Sequence, residues 1–287
     1  MLLGVLSGND PAQYLQFSTW LGRKPEIAAL AFNQSGPDAF VKSIPYIIGQ
    51  AKLFMADGAQ VAWSVPFPGK GQLEAVQSGQ FDAVYTDLAR QIVAATPSGD
   101  ILVRLPWEFN LGWQENAAKD RNGNWAEGLF IGAWSRLSLL FRVVSPRFKI
   151  VWCPNVCTKD RDPAKLLPRS QHYDIIAQDF YMQKAYDRPG AFSYFRDEAR
   201  GLQWAVNLAK AKGKLYAISE EGMDDDIFAD DLKAYIAWKA SVGVHHACWW
   251  DYPDPNNPNV GAVIDSRLST GNHPVLGAIY RAAYGAV

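Results

Sequence analysis

The chain has 287 residues, of which 48% are hydrophobic and 20% are charged, and this suits one large α/β barrel or two ordinary domains. A net charge of −1 and an isoelectric point near 6.4 exclude the strong electrostatic attraction that nucleic acid or an anionic membrane surface exerts on a basic protein. We therefore expect no nucleic-acid partner. No apolar run approaches the roughly 20 residues of a membrane-spanning helix, so we also expect no membrane insertion.

Eight strand-like runs alternate with helix-like stretches along the chain. The strands are predicted at residues 2–7, 26–32, 60–66, 101–108, 149–155, 173–181, 214–220 and 244–250. The helices are predicted at residues 13–21, 38–56, 81–95, 125–144, 192–212, 230–242 and 274–284. The strand runs are continuously apolar, as expected when both faces of a strand are buried, and no tight Asn-Gly turn separates neighbouring strands. This pattern predicts a (β/α)8 TIM barrel that forms a single domain over residues 1–287.

A doubly wound open sheet is the alternative to the barrel. That fold places a glycine-rich phosphate turn after its first strand, and the segment from Leu6 to Asp10 is too weak a match. In a barrel, the longer irregular segments would follow strands and lie on the face where barrel enzymes keep their chemistry. These segments are residues 109–124, 156–172, 221–229 and 251–273.

Two of the predicted strands end in carboxylates. The fourth ends at Glu108, and strand parity puts Arg104 on the same face. The seventh ends in the doublet Glu220-Glu221, where both faces are apolar enough that parity does not decide which acid points inward. Because the fourth and seventh strands of an eight-stranded barrel face each other across the lumen, we expect the two acids to face each other over a cleft.

A facing pair of carboxylates among aromatic side chains is the arrangement that glycoside hydrolysis requires. One acid protonates the leaving oxygen while the other attacks the anomeric carbon, and a separation of about 5–5.5 Å gives retention through a covalent intermediate. In this interpretation Arg104 keeps Glu220 ionised and Glu108 is the protonated acid. The chain also has 11 Trp, 12 Tyr and 14 Phe, and several Trp lie beside Gly, Asn, Asp or Pro, which favours platforms for sugar rings.

Five short segments, in the order of the fourth to the eighth strand, carry a family resemblance. They are Arg104-Leu-Pro-Trp-Glu108-Phe-Asn110, Val151-Trp-Cys-Pro-Asn155, Asp179-Phe-Tyr181, Lys214 to Gly222, and Trp249-Trp250. They resemble the strand motifs of glycoside hydrolase family 26, the β-mannanase-type family of clan A. Two positions depart from its pattern. Trp107 stands where the family usually has His, which removes a polar contact near the sugar and leaves mannan specificity open, and Leu215 replaces a structural Pro.

The resemblance implies a role for each matching residue. Glu108 would be the acid/base and Glu220 the nucleophile, with Glu221 as the fallback nucleophile. The residues that support the nucleophile would be Arg104, Asp179 and Tyr181, which orient it and form a hydrogen-bond network around it. Either Trp250 or Trp249 would stack under the sugar beside the scissile bond.

Further candidates for substrate binding lie near the strand ends. The full set is Trp107, Asn110, Trp113, Trp125, Asn155, Trp249, Trp250 and Tyr252. Trp113, Trp125 and Tyr252 fit either sugar platforms or loop packing, and the asparagines either hydrogen-bond substrate hydroxyls or hold the loops.

The cysteines and histidines allow a competing, metal-based interpretation. Cys153, Cys157 and Cys248 could combine with His245 and His246 as a zinc site, but the spacing is not that of known zinc motifs. Three cysteines also make no disulfide framework in a chain of this length. We therefore expect no metal and no cofactor, and a metal-dependent hydrolase ranks third among the interpretations.

The predicted function is that of a retaining endo-β-glycanase, acting on a mannan-type or bacterial polysaccharide or its oligosaccharides. The alternative is a non-catalytic carbohydrate-binding barrel, which would keep the aromatic platforms and could dispense with the acids. We expect a monomer. The first apolar run is too short and too uncharged for a signal peptide, so an extracellular or periplasmic location is favoured only if such a peptide has been removed.

Overall fold

Eight parallel strands close into a barrel in their sequence order, in a computed structural model that describes residues 1–252 and 264–286. The strands are β1 Leu2–Leu6, β2 Ile27–Ala31, β3 Gln60–Ser64, β4 Ile101–Arg104, β5 Phe148–Trp152, β6 Ile175–Met182, β7 Leu215–Met223 and β8 His246–Trp250. Pairing of β1 with β8 closes the ring, with Leu2 opposite His246 and Leu6 opposite Trp250. The (β/α)8 prediction is confirmed.

Helices cover the outside of the barrel. They are α1 Pro11–Leu21, α2 Pro37–Ala56, α3 Leu73–Ser78, α4 Asp82–Ala95, α5 Glu127–Val144, α6 Ala191–Asp197, α7 Leu202–Lys212, α8 Ala229–Val242 and α9 Pro274–Tyr284. In the two described stretches of chain, no helix is both long enough and apolar enough to cross a membrane.

One predicted helix, at residues 192–212, is two helices in the structure. The chain breaks between α6 and α7 at Arg200 and Gly201, and Arg200 has a left-handed φ of +62°. A Cβ at Gly201 would lie 2.5 Å from the carbonyl oxygen of Phe195, so only glycine fits this tight approach. Helical periodicity alone did not reveal the break, because the apolar pattern continues on both sides of it.

The buried side chains form two layers, one inside the barrel and one between the barrel and its helices. Strand alternation divides them, as expected for a sheet that is buried on both faces. The inner layer consists of Leu6, Ile27, Ala29, Leu102, Trp107, Val151, Cys153, Ile175, Ala177, Ala217 and Cys248. The position of Leu102 in this layer sets the direction of Arg104, which is two residues further along β4 and also points into the lumen.

The fourth strand is shorter than predicted. It ends at Arg104 rather than Glu108, and the next residues leave the sheet through Pro106, which has no N–H to donate to a neighbouring strand. Glu108 has a left-handed φ of +50° and donates its backbone N–H to the carbonyl of Cys153 at 2.9 Å. The expectation that strand parity aligns Glu108 with Arg104 was therefore wrong, although both side chains are directed to the same end of the barrel.

A β-bulge in β7 decides the direction of the acidic doublet. Gln178 of β6 lies opposite Ile218, but the next residue, Asp179, lies opposite Glu220, so Ser219 is the extra residue. Regular alternation from the inward-facing Ala217 would have turned Glu220 outward. The bulge reverses this order and sends Glu220 into the lumen and Glu221 to the helical layer.

Candidate active site

A cleft of about 920 Å³ lies over the carboxyl-terminal ends of the strands. This is the face where the sequence predicted the chemistry. Of the predicted site residues, those that line the cleft are Trp107, Glu108, Trp113, Asn155, Tyr181, Glu220, Trp250 and Tyr252. The two acids therefore share one cavity although they are 112 positions apart in the sequence, which follows from the positions of Glu108 and Glu220.

Glu220 is held through both of its carboxylate oxygens. The Arg104 guanidinium donates to Oε1, and the Tyr181 hydroxyl donates to Oε2 at 2.7 Å. Tyr181 follows Asp179 by two residues on β6, so the two side chains share the inward face. Two donors on one carboxylate fix its orientation. The predicted support of Glu220 by Arg104 and Tyr181 matches this geometry.

Arg104 is a buried cation shared by two acids. Its Nη1 lies 2.9 Å and 3.0 Å from the two carboxylate oxygens of Asp179, while Nη2 contacts Glu220. Its Nε donates to the hydroxyl of Ser64 at 3.0 Å, and its guanidinium lies 4.5 Å from the ring centroid of Trp107. A buried charge is costly unless every donor is satisfied, and these contacts satisfy the guanidinium from three sides. Asp179 lies beneath the cleft, as a fully buried partner of Arg104.

Glu108 lies in a different environment. Its Oε1 accepts a hydrogen bond from Asn155 Nδ2 at 2.7 Å, and its Oε2 accepts one from Gln114 Nε2. Burial raises the pKa of Glu108 to about 7, and the negative charge of Glu220 acts in the same direction. A carboxyl with a pKa near neutrality can hold a proton and release it at the same pH, as a general acid must.

Asn110 and Asn155 hold the two loops together under Glu108. Asn110 Oδ1 accepts the backbone N–H of Asn155 at 2.9 Å, and Asn110 Nδ2 donates to the Asn155 carbonyl at 3.1 Å. Asn110 is fully buried and does not line the cleft, so its predicted contact with substrate was wrong and its loop-holding alternative is correct. Asn155 lines the cleft through the side chain that it presents to Glu108.

The two tryptophans that end β8 point in opposite directions. Trp250 lines the cleft, where its ring meets the ring of Tyr181 edge to face at 6.1 Å, and its Nε1 donates to the Tyr252 carbonyl at 2.6 Å. Trp249 is fully buried against Tyr280 of α9. Neighbouring residues of a strand alternate between its faces, so Trp249 belongs to the core and its prediction as a substrate contact was wrong.

The remaining aromatic candidates lie at different distances from the acids. Trp113 is 41% exposed at the wall of the cleft, and Tyr252 closes the cleft beside Gly8. Gly8 has a φ of +67°, and a Cβ there would overlap the Tyr252 ring. Trp125 does not line the cleft but packs under Lys119 and Arg161. Residues 253–263 of the irregular segment after β8 lie outside the described residues.

Glu221 is removed from the cleft by the bulge. Lys239 Nζ lies 2.7 Å and 2.8 Å from its two oxygens, and the Tyr235 hydroxyl donates to Oε2 at 2.6 Å. Glu221 and Lys239 are both fully buried, so this is an ion pair between β7 and α8. The geometry therefore excludes Glu221 as the fallback nucleophile.

The residues of the competing zinc interpretation do not come together. The three cysteines are free thiols, and Cys153 Sγ lies 3.2 Å from Asp179. His246 begins β8, at the opposite end of the barrel from the cleft, and its Nδ1 lies 2.9 Å from Nδ1 of His245. Within residues 1–252 and 264–286, no cluster of His, Cys, Asp or Glu has the arrangement of a metal site.

Two residues at the site were missed in the sequence. Ser64, the last residue of β3, is opposite Arg104 in the sheet, and a single serine at the end of an apolar run was the available signal. Gln114 reaches Glu108 from the loop six positions later, and nothing in its sequence context distinguishes it from neighbouring polar residues.

Together the fold and the cleft define a class: a (β/α)8 barrel with paired glutamates and aromatic walls at its carboxyl-terminal face. No family model matches the chain, and no curated protein matches its sequence. Solved structures do match. The catalytic domain of the Bacillus sp. JAMB-750 GH26 endo-β-1,4-mannanase shares 15% identity at a TM-score of 0.68, over 100% of this chain and 87% of that one.

Two further solved structures support the same fold. The GH26 β-mannanase from Bacteroides ovatus has 12% identity and a TM-score of 0.62, over 87% of this chain and 80% of that one. A β-mannanase from a symbiotic protist of the termite Reticulitermes speratus, complexed with gluco-manno-oligosaccharide, has 19% identity and a TM-score of 0.55, over 87% and 79%. The resemblance to family 26 is therefore confirmed at the level of the fold.

Proposed function

We propose that the protein is a glycoside hydrolase: a retaining, endo-acting β-glycanase of the family 26 type. The observation that carries this proposal is the contrast between two carboxylates in one cleft. Arg104 and Tyr181 donate to the two oxygens of Glu220, whereas burial raises the pKa of Glu108 to about 7. Double displacement requires an ionised nucleophile and a protonated acid, and the different environments of these two carboxylates support those roles.

The reaction follows from these states. Glu220 attacks the anomeric carbon while Glu108 gives its proton to the leaving glycosidic oxygen, so one C–O bond forms as the other breaks. In the second step Glu108 takes a proton from water, and the resulting hydroxide-like oxygen displaces Glu220 with a second inversion. Arg104 donates to Oε1 of Glu220 and Tyr181 donates to Oε2, so the attacking carboxylate keeps its orientation.

The sugar beside the scissile bond is bound by aromatic faces. Trp250 and Trp107 line the cleft next to the acids, and each offers a flat apolar surface to the C–H face of a pyranose ring. Trp107 is fixed against Arg104, so it is rigid before substrate arrives. The solved relatives are named as mannanases, which supports β-mannan as the first substrate to test, with bacterial exopolysaccharides next because Trp107 replaces the family imidazole.

A panel of β-linked glycans tests the proposal. Wild-type protein is incubated with β-mannans, other plant β-glycans and bacterial exopolysaccharides, products are sized by mass spectrometry, and the first anomer formed is identified by NMR. We expect internal cleavage with retained configuration, and a loss of several orders of magnitude in turnover for Glu108→Gln and Glu220→Gln with glycan binding preserved. Near-wild-type turnover in either variant rejects the assignment. Calorimetric binding without new reducing ends across the panel would instead support a non-catalytic carbohydrate-binding barrel.

A further inference from the structure

Glu108 has a hydrogen-bond donor on each of its carboxylate oxygens. Asn155 Nδ2 donates to Oε1 at 2.7 Å, and Gln114 Nε2 donates to Oε2. On the proposed function, one of these oxygens must carry the proton that passes to the glycosidic oxygen. That oxygen must then contact the substrate rather than an amide N–H, so one of the two amides has to give way.

Asn155 is the amide that stays. Its backbone N–H and carbonyl are both bonded to the side chain of the buried Asn110, and it forms a parallel bridge to Asp179 of β6. The Asn155 backbone is therefore fixed between two loops and a strand, and its side chain is buried and shorter than that of Gln114, so it has less room to rotate away. Oε1 of Glu108 keeps its partner whether or not substrate is bound.

Gln114 is the amide that can leave. Its backbone belongs to a loop tied down on several sides: Lys70 donates to the Trp113 carbonyl at 3.0 Å, and Gly112 donates to Asp160 at 2.6 Å. Its side chain is half-buried, lines the cleft, and within the described residues hydrogen-bonds to Glu108 alone. The loop can therefore stay in place while the side chain rotates away.

We propose that Gln114 is a positioning residue that caps Oε2 of Glu108 in the free protein and is displaced by substrate. While the cap is in place, a second N–H donor favours the carboxylate form of Glu108. When the glycosidic oxygen takes its place, that donor is lost and an acceptor arrives, which favours the protonated form. Substrate binding thus promotes the protonation state that the first chemical step uses.

The test compares Gln114→Met, which keeps the side-chain length but removes the donor, with Gln114→Ala and wild type. The matched control is Gln91→Met on α4, where Gln91 Nε2 also donates to a carboxylate, that of Asp87, at 2.6 Å. The pKa of Glu108 in free protein is measured by carbon-13 NMR of its carboxyl, assigned by comparison with Glu108→Gln. The pH profiles of kcat/KM and of kcat are measured with the soluble oligosaccharide that the glycan panel shows to be cleaved fastest.

We expect Gln114→Met and Gln114→Ala to raise the pKa of Glu108 in the free protein by about 0.5–1 unit, because the lost hydrogen bond is stronger to the charged carboxylate than to the neutral acid. The alkaline limb of kcat/KM, which reports the free protein, should move by the same amount, while the limb of kcat, which reports the bound complex, stays in place. Gln91→Met should move neither limb.

Two results would overturn the proposal that Gln114 caps Glu108 and is displaced by substrate. One is an unchanged Glu108 titration in both Gln114 variants. The other is an equal shift of the two pH profiles, since Gln114 would then still contact Glu108 when substrate is bound. A wild-type protein that cleaves no glycan would refute the proposed function instead, and the NMR titration would still decide whether Gln114 caps Glu108.

Discussion

The acidic doublet at the end of β7 allows a direct test of the bulge. Substitution of one glutamate should reduce stability, and substitution of the other should reduce turnover. In Glu221→Gln the buried Lys239 loses its counter-charge, although the glutamine oxygen still accepts one hydrogen bond. Breaking a fully buried ion pair from one side costs about 3–5 kcal/mol. We expect the lower end, about 3 kcal/mol, because burial already lowers the pKa of Lys239 and makes release of its proton easier.

That loss is large enough to measure easily. For a domain of this size, about 3 kcal/mol corresponds to a fall in Tm of roughly 6–12 °C. Glu220→Gln should change Tm far less, because Arg104 keeps its contact with Asp179. Turnover should show the opposite order: Glu221→Gln keeps kcat within a fewfold at temperatures well below its Tm, and Glu220→Gln loses it by orders of magnitude.

Calorimetry measures the Tm of each variant. Initial rates on the glycan that the wild type cleaves give kcat, with both variants assayed at the same low temperature. The reasoning is refuted if Glu221→Gln loses turnover while keeping its Tm, since Glu221 would then be the acid in the cleft. It is equally refuted if both variants lose stability alike, because the two side chains would then share one environment.

Three further outcomes follow from the site. The alkaline limb of the wild-type kcat/KM profile should have an apparent pKa near 7, set by burial of Glu108, and a limb at 5 or below would contradict that role. Burial raises the pKa of Glu108 in the folded protein from an ordinary 4.5 to about 7, so the folded state binds this proton more tightly than the unfolded state does. The free energy of unfolding therefore falls as pH rises from about 4.5 to about 7. Glu108→Gln should therefore be more stable than wild type at pH 8, by up to about 3 kcal/mol, and equally stable at pH 4; denaturant titrations at the two pH values check this. Trp250→Ala should weaken glycan binding about tenfold with little change in Tm, whereas Trp249→Ala should cost about 3–5 kcal/mol of stability by opening a cavity, as calorimetry of both variants would reveal.

The barrel was predictable because its signal is carried by many residues at once. Eight apolar runs separated by amphipathic helices can pack in few other ways. An error of one or two residues in the boundary of any strand or helix does not change the predicted fold. Strand order alone predicted that Glu108 and one glutamate of the doublet would share a cleft, and the family resemblance pointed to Glu220. These parts of the site depend on topology, which periodicity reports well.

The missed details depend on local backbone geometry, which periodicity does not report. The bulge at Ser219 arises from register against β6, so the direction of Glu220 could not be read from β7 alone. The early end of β4 left Glu108 in a left-handed conformation that a strand pattern does not anticipate. Gln114 reaches Glu108 through a loop whose path is fixed by contacts with Lys70 and Asp160, far away in the sequence.

The ion pair between Glu221 and Lys239 has a consequence for the behaviour of the protein on heating. Glu221 is joined by one peptide bond to the proposed nucleophile, and its partner belongs to α8, an outer helix. Loosening of α8 would therefore disturb Glu220 through the backbone of Glu221. Activity should decline at temperatures where the fold is still intact, and substitutions that anchor this helix more firmly should extend the working range without touching the cleft.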